Sequence, residues 1–403
     1  MAQPGFPIVL SNGPPPGGST PDGKNALAEV AAAGVTHIRT GIANWSLASV
    51  ATQLAQQRAL LDAAASHALL AWLWLGDAAN LPPRKPQPTD AERLLTRIVE
   101  GVQGHAGLGA YKGVDEPRNP FRGDAWVRPA GLVRACQRVH ALDGAHPVVI
   151  TQAPIGTVAQ LTPYRPAFDI TGADVYPVSY PPGSHTKTGN RDVSVVGDIT
   201  RKLRRAAGTK PVWMTLQIAW SGVAPSAQHP GIVPRFPTLQ AERFMAYQAV
   251  VAGASGLVFF GGHLTQVATP ADAKLGWNWT FWQEVLRPLV SELSSQAVHA
   301  ALVAPAAKSA VKASTADIEV VTRQDGTFLY VIAVRRKGTT NVVTFKGLPK
   351  TIRSGEVLHE YVQRPLPPPI GAGTQVFRPV AVEAGAFKDW LAPHDARVYR
   401  FKR

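Results

Sequence analysis

Along the first three quarters of the chain, short apolar runs alternate with stretches of helical period. The apolar runs are Phe6–Leu10, Thr36–Thr40, Leu69–Trp74, Gly109–Val114, Pro147–Gln152, Asp169–Tyr176, Pro211–Gln217 and Gly256–Phe260. Each is five to eight residues long and β-like in composition, as expected of short strands. Helical stretches lie between them: Asn25 to Ala33, Ser49 to His67, a run capped at Thr89-Asp90, Pro129 to Leu142, and Leu239 to Ala252. A last helix is expected from Thr280 to Leu293. This alternation predicts a parallel sheet wrapped by helices. The loop after the first strand is Ser11-Asn12-Gly13-Pro14-Pro15-Pro16-Gly17-Gly18, without the Gly-x-Gly-x-x-Gly of a dinucleotide fold. Eight strands then predict an α/β fold, a (β/α)8 TIM barrel.

Beyond residue 302 the pattern changes. Ile318–Val321, Phe328–Val334, Val342–Phe345 and Val398–Phe401 are β-like runs separated by turn signals, and Asp325-Gly326 marks a tight hairpin. A helical period shows only near Phe387 to Leu391, and Pro365–Pro369 reads as a rigid loop leaning on the barrel. The division expected is a barrel over 1–302 and a C-terminal β-sandwich domain over 303–403.

Length and composition agree with that division. The 403 residues fit a barrel of about 250 residues plus a smaller domain. No apolar run reaches the roughly 20 residues needed to cross a bilayer, so no membrane partner is expected. The net charge is +14, which favours an acidic partner. The one tight basic run, Arg201-Lys202-Leu203-Arg204-Arg205, sits beside Ile199 and Leu203 at helical spacing and reads as the solvated face of a helix. Nucleic acid is therefore not expected, and an acidic glycan fits better. The single cysteine, Cys136, excludes an intramolecular disulfide and reads as a small buried residue. No ligand spacing calls for a metal, and no cofactor is implied. Nothing at the N-terminus reads as a signal segment. A secreted or periplasmic location is expected if a leader has been removed, and a cytoplasmic one otherwise. Oligomeric state is not legible.

Barrels carry their chemistry at the C-terminal ends of the strands. There the sequence offers Arg39 with Trp45, then Trp74, the pair Asp115-Glu116, Asp174 with Tyr176, Gln217 with Trp220, and His263 with Trp277 beyond it. Stability alone rarely asks for adjacent carboxyl groups, an arginine and several tryptophans at one rim. Aromatic faces stack on pyranose rings, and carboxyl groups bind hydroxyls or move protons. Glycosidic cleavage needs an acid for the leaving oxygen and a second group for the cation-like centre. Glu116, followed by Pro117, is the candidate acid/base, with Asp115 or Asp174 as partner carboxylate. Arg39, Trp45, Trp74, Tyr176, Gln217, Trp220, His263 and Trp277 are candidate sugar contacts, whereas Trp213, Trp279 and Trp282 are expected in the core.

Arg39 after strand 2, an acidic pair after strand 4, Tyr176 after strand 6 and aromatics after strand 8 resemble the large clan of retaining-glycosidase barrels, clan A. The resemblance covers residues 6 to 300 and implies a glycosidase acting on carbohydrate. Two positions depart from it. Asp115 stands where the clan has Asn before the acid/base, and Gln217 stands where it has the nucleophilic Glu. The Asp-Glu pair is similar to that of hexosaminidase barrels that use the substrate's acetamido group. That likeness implies Asp115 as polariser and Glu116 as acid/base, with Tyr176 or Gln217 bonding the acetamide. An inverting route would use Asp174 or Asp115 as the base. A carbohydrate-binding barrel that has lost its strand-7 nucleophile is the alternative from another class.

Overall fold

A computed structural model describes residues 5–41, 44–119, 126–180, 182, 188–218, 227, 230–231, 233–234, 236–260, 269–362 and 374–403. Eight strands close a parallel barrel: β1 (Ile8–Leu10), β2 (His37–Gly41), β3 (Leu70–Trp74), β4 (Leu108–Lys112), β5 (Val148–Gln152), β6 (Ile170–Val175), β7 (Trp213–Gln217) and β8 (Gly256–Phe260). Each is found where the β-like runs predict it; six are shorter by one or two residues, and β2 and β8 keep the predicted length. β4 ends at Lys112 rather than Val114, and β6 at Val175 rather than Tyr176. Six outer helices are α1 (Ala26–Ala33), α2 (Val50–Ala65), α3 (Asp90–Val102), α4 (Pro129–Leu142), α5 (Val195–Ala207) and α6 (Leu239–Val251). Their starts follow the sequence signals. Asn25 caps α1, and Thr89 with Glu92 forms a capping box on α3. Between β5 and β6 there is only a short helical stretch, Val158–Leu161 followed by Thr162–Ala167, where no helix was expected from the pattern. Two prolines, Pro163 and Pro166, keep it short. The helix expected at Thr280 begins at Trp279, widens at Trp282–Leu286 and continues as Arg287–Ser294, with a further helix, Gln296–Val303, behind it.

Strand alternation sends one set of side chains outward against the helices and the other into the barrel. Val9, Trp72, Ala110, Val149, Ile170, Trp213 and Val258 fill the interior as a packed plug. β6 and β7 approach closely at Gly172, where a Cβ would stand 1.6 Å from the Trp213 carbonyl oxygen. Trp213, Trp279 and Trp282 are buried, as their sequence contexts imply.

The C-terminal part is a β-sandwich. One sheet has the order β10-β11-β16-β13-β14, from Ile318–Gln324, Phe328–Arg335, Ala396–Lys402, Ser354–Val362 and Thr374–Ala381. The other is β9-β12-β15, from Lys312–Ala313, Asn341–Lys346 and Ala386–Leu391. Asp325 makes the expected turn, its carboxylate accepting from the N–H groups of Thr327 and Phe328. The segment Phe387 to Leu391 is a strand, not a helix. Phe387 and Leu391 are buried while Lys388 and Trp390 are exposed, an alternation of period two. The loop Pro365–Pro369 lies outside the described residues. The larger sheet lies on α6, and Tyr330, Ile332, Val334, Leu358, Ala396 and Val398 belong to the same apolar cluster as the barrel's helices. The basic run of α5 is not simply solvated. Arg201 bridges Asp198 and Glu319 of the sandwich, and Lys202 donates to the Pro154 carbonyl. No described helix is long and apolar enough to cross a membrane.

Candidate active site

At the C-terminal mouth of the barrel the inward positions become polar. Ser11, Arg39, Lys112, Asp115, Thr151, Asp174, Thr215 and Phe260 line a small cavity above Trp72 and Val258. The period of two places Arg39 two residues above His37, Lys112 above Ala110, and Asp174 above Gly172.

Asp115 and Glu116 follow β4 across Gly113-Val114. Asp115 is ion-paired with the buried ammonium of Lys112, three residues back. Glu116 adopts φ +42°, a left-handed conformation that costs a non-glycine residue about 1 kcal/mol. It is held there on both sides. Its N–H donates to the Thr151 carbonyl of β5 at 2.9 Å, its carbonyl accepts from Asn119 N–H at 2.9 Å, and its carboxylate accepts from the Asn119 amide. Strain fixed by several bonds is a hallmark of functional positions.

Asp174 is buried, and Tyr176 donates its phenolic hydrogen to Asp174 Oδ2 at 2.9 Å. Burial pushes the Asp174 carboxyl well above the usual carboxylate range. The charges of Asp115 and Glu116 push the same way, and Lys112 opposes them. Burial beside Asp174 also holds Tyr176 firmly protonated. The Tyr176 ring stacks on Phe260, with centroids 5.9 Å apart.

Arg39 ion-pairs neither Asp115 nor Glu116 among the described residues. Its guanidinium donates to Asn12 Oδ1 at 3.1 Å and lies over the Trp74 ring, 4.6 Å from the centroid. Its charge still acts on Asp115 and Asp174 through the cavity. Trp74 is thus flanked by two cations, because Lys112 Nζ stands 5.0 Å from the same ring. Trp45 is half-buried and donates its indole N–H to the Trp74 carbonyl at 2.9 Å.

Two expected sugar contacts are corrected. Trp277 is fully buried, edge-on to Trp279, with its indole N–H on the Asn12 carbonyl, so it presents no face at the rim. Gln217 is fully buried as well. Its Oε1 accepts from Val178 N–H and its Nε2 donates to the Val178 carbonyl, both at 2.8 Å. That two-point clamp ties β7 to the loop after β6. Trp220 and His263 lie outside the described residues.

Lys112, Asn12 and Phe260 were not singled out from the sequence. Lys112 hides inside an apolar run. Its signal is its phase: two residues beyond Ala110 on the inward side and three before Asp115. Away from the mouth, Cys136, His140 and Asp169 stand within 4.8 Å of one another, but burial pushes the Cys136 thiol up to about 12.

No protein-family model matches the chain, and no curated protein matches it in sequence. Solved structures match it in shape. A protein described as a glycoside hydrolase superposes with a TM-score of 0.59 at 12% identity, over 98% of this chain and 92% of its own. An α-amylase from Anoxybacillus gives 0.55 at 9%, over 100% and 99%. A glycoside hydrolase family 30 subfamily 8 xylanase from Clostridium acetobutylicum gives 0.52 at 9%, over 99% and 96%. What is shared is the fold. It is a (β/α)8 barrel, and the match extends over the C-terminal β-sandwich.

Proposed function

We propose that the chain is a glycoside hydrolase, with Glu116 as general acid/base and Asp115 or Asp174 as its partner carboxylate. The observation that carries this reading is that Asp115 and Asp174 line one cavity with Lys112 and Arg39 at the barrel mouth, where the charge of the neighbouring Glu116 also acts on Asp174. Their surroundings differ in the way acid–base chemistry requires. Asp115 sits in an ion pair, while burial and the charges of Asp115 and Glu116 push the Asp174 carboxyl well above the usual carboxylate range. An ionised Asp115 beside a sugar C1 would stabilise a cation-like centre, or orient an acetamido group. Asp174, buried, bonded by Tyr176 and under the charge of Glu116, suits holding a proton better than it suits a nucleophile. The substrate class is a glycan, and the basic chain favours an acidic one.

Glu116→Gln should leave the fold unchanged by circular dichroism and lower turnover of aryl glycosides, N-acetylhexosaminides included, by about 10²–10⁴-fold. Near-normal turnover in that variant would remove Glu116 from its role. NMR of the first-formed anomer separates retention from inversion.

A second reading, a sugar-binding barrel without cleavage, is favoured by one observation. The β7 terminus carries an amide clamped to backbone, not a carboxylate. It expects calorimetric binding of oligosaccharides with no product after long incubation.

A further inference from the structure

On the flank of the barrel, α3 and α4 and the loop before α3 enclose a groove of about 510 Å3. Five arginines line it: Arg84, Arg93, Arg97, Arg134 and Arg138. On each helix two of them are four residues apart, so each pair repeats along one face at about 6 Å per step.

Some of these guanidiniums are tethered by only part of their donor set. Arg138 donates through Nε and Nη2 to Thr96 Oγ1, and Arg134 donates through Nη2 to the Leu81 carbonyl. Arg134 Nε is buried and bonded to nothing. Such tethers fix the forks in place while leaving N–H groups for a ligand. The acid in the lining, Glu92, acts by charge on Arg84 and Arg138 while its Oε2 accepts from the N–H and hydroxyl of Thr89. Arg93 is ion-paired with Asp90. Five guanidiniums thus face two carboxylates, and the groove keeps a net positive charge.

We propose that this groove is a binding site for an acidic polysaccharide, one bearing carboxylate groups along its chain. The forks match carboxylates in two-point geometry, and the two ladders suit a polymer with charges in series. The lining contains no aromatic ring. With no ring for bases or sugar faces to stack on, recognition here rests on charges in series, which a polyanionic glycan supplies, whereas a single-stranded nucleic acid forgoes the base stacking that carries much of its affinity. The site is separate from the carboxyl cluster at the mouth, and binding there needs no turnover.

The test is affinity electrophoresis of the full chain in gels containing polygalacturonate, with dextran and oligo-dT gels alongside. Retardation is expected in polygalacturonate, falling as salt rises, and none in dextran. The exposed pair Arg84→Glu and Arg97→Glu should weaken retention by about tenfold or more while the melting temperature is unchanged. Arg84→Lys with Arg97→Lys should keep part of it. Equal retention of the charge-reversed variant would overturn the site, as would stronger retardation by oligo-dT than by polygalacturonate.

Discussion

Tyr176 donates its hydroxyl to Asp174 at 2.9 Å, and both side chains are buried in the barrel mouth. The pair gives the site a pH signature. The folded-state carboxyl of Asp174 titrates above its unfolded value of about 3.9. Its contribution to stability is therefore fully present below about pH 4, and is lost as pH rises through the raised folded value. Asp174→Asn removes that dependence. Melting curves at pH 4, 6 and 8 should show the variant gaining on the wild type as pH increases. Glu242, also buried and raised, titrates alike in both proteins and cancels in the difference. A constant gap across the three pH values would contradict the assignment.

Lys112 and Asp115 form an ion pair with one end inside the barrel. Lys112→Met leaves Asp115 without its ammonium and should cost about 2–3 kcal/mol, the low end for a broken buried pair because the Asp115 side chain is 34% exposed. Denaturant titration of Lys112→Met and of Lys112→Met with Asp115→Asn checks this. The double variant should recover part of the loss.

Gln217→Glu tests whether the clan's missing nucleophile can be restored by one substitution. In this structure the amide's N–H faces the Val178 carbonyl at 2.8 Å. A carboxylate there would oppose a carbonyl oxygen, and should destabilise by about 1–3 kcal/mol without raising turnover. A gain in hydrolysis would mean that the side chain leaves its clamp.

Arg243 and Glu292 lock the barrel to the sandwich. The guanidinium donates to both Glu292 oxygens and to the Ala396 carbonyl, and Tyr247 adds a hydroxyl to Glu292. Glu292→Ala strands a buried cation, with an expected loss of about 3–5 kcal/mol by urea unfolding.

Much of this molecule was legible before its structure. All eight barrel strands follow from apolar runs, and the shift to a second domain from the loss of helical period. Asp115, Glu116, Asp174, Tyr176 and Arg39 are all drawn to one mouth. What escaped was decided by neighbours distant in the chain. Gln217 and Trp277 look like rim residues, yet one bonds backbone 39 residues away and the other 265. Lys112 reads as a stray charge in a strand until Trp72, Trp74 and Asp115 surround it. Period-two burial at Phe387–Leu391 depends on pairing with the strand Asn341–Lys346, which is itself legible as a β-like run, but the pairing between the two is not.

The apolar cluster shared by the barrel helices and the larger sheet has a practical consequence. Cutting the chain after the last barrel helix would strip α6 of Ile332, Val334 and Val398 and leave a hydrophobic scar open to water. The barrel is not a detachable engine with an accessory bolted on. Calorimetry should record one cooperative melting event for the whole chain, and a barrel-only fragment should aggregate on expression.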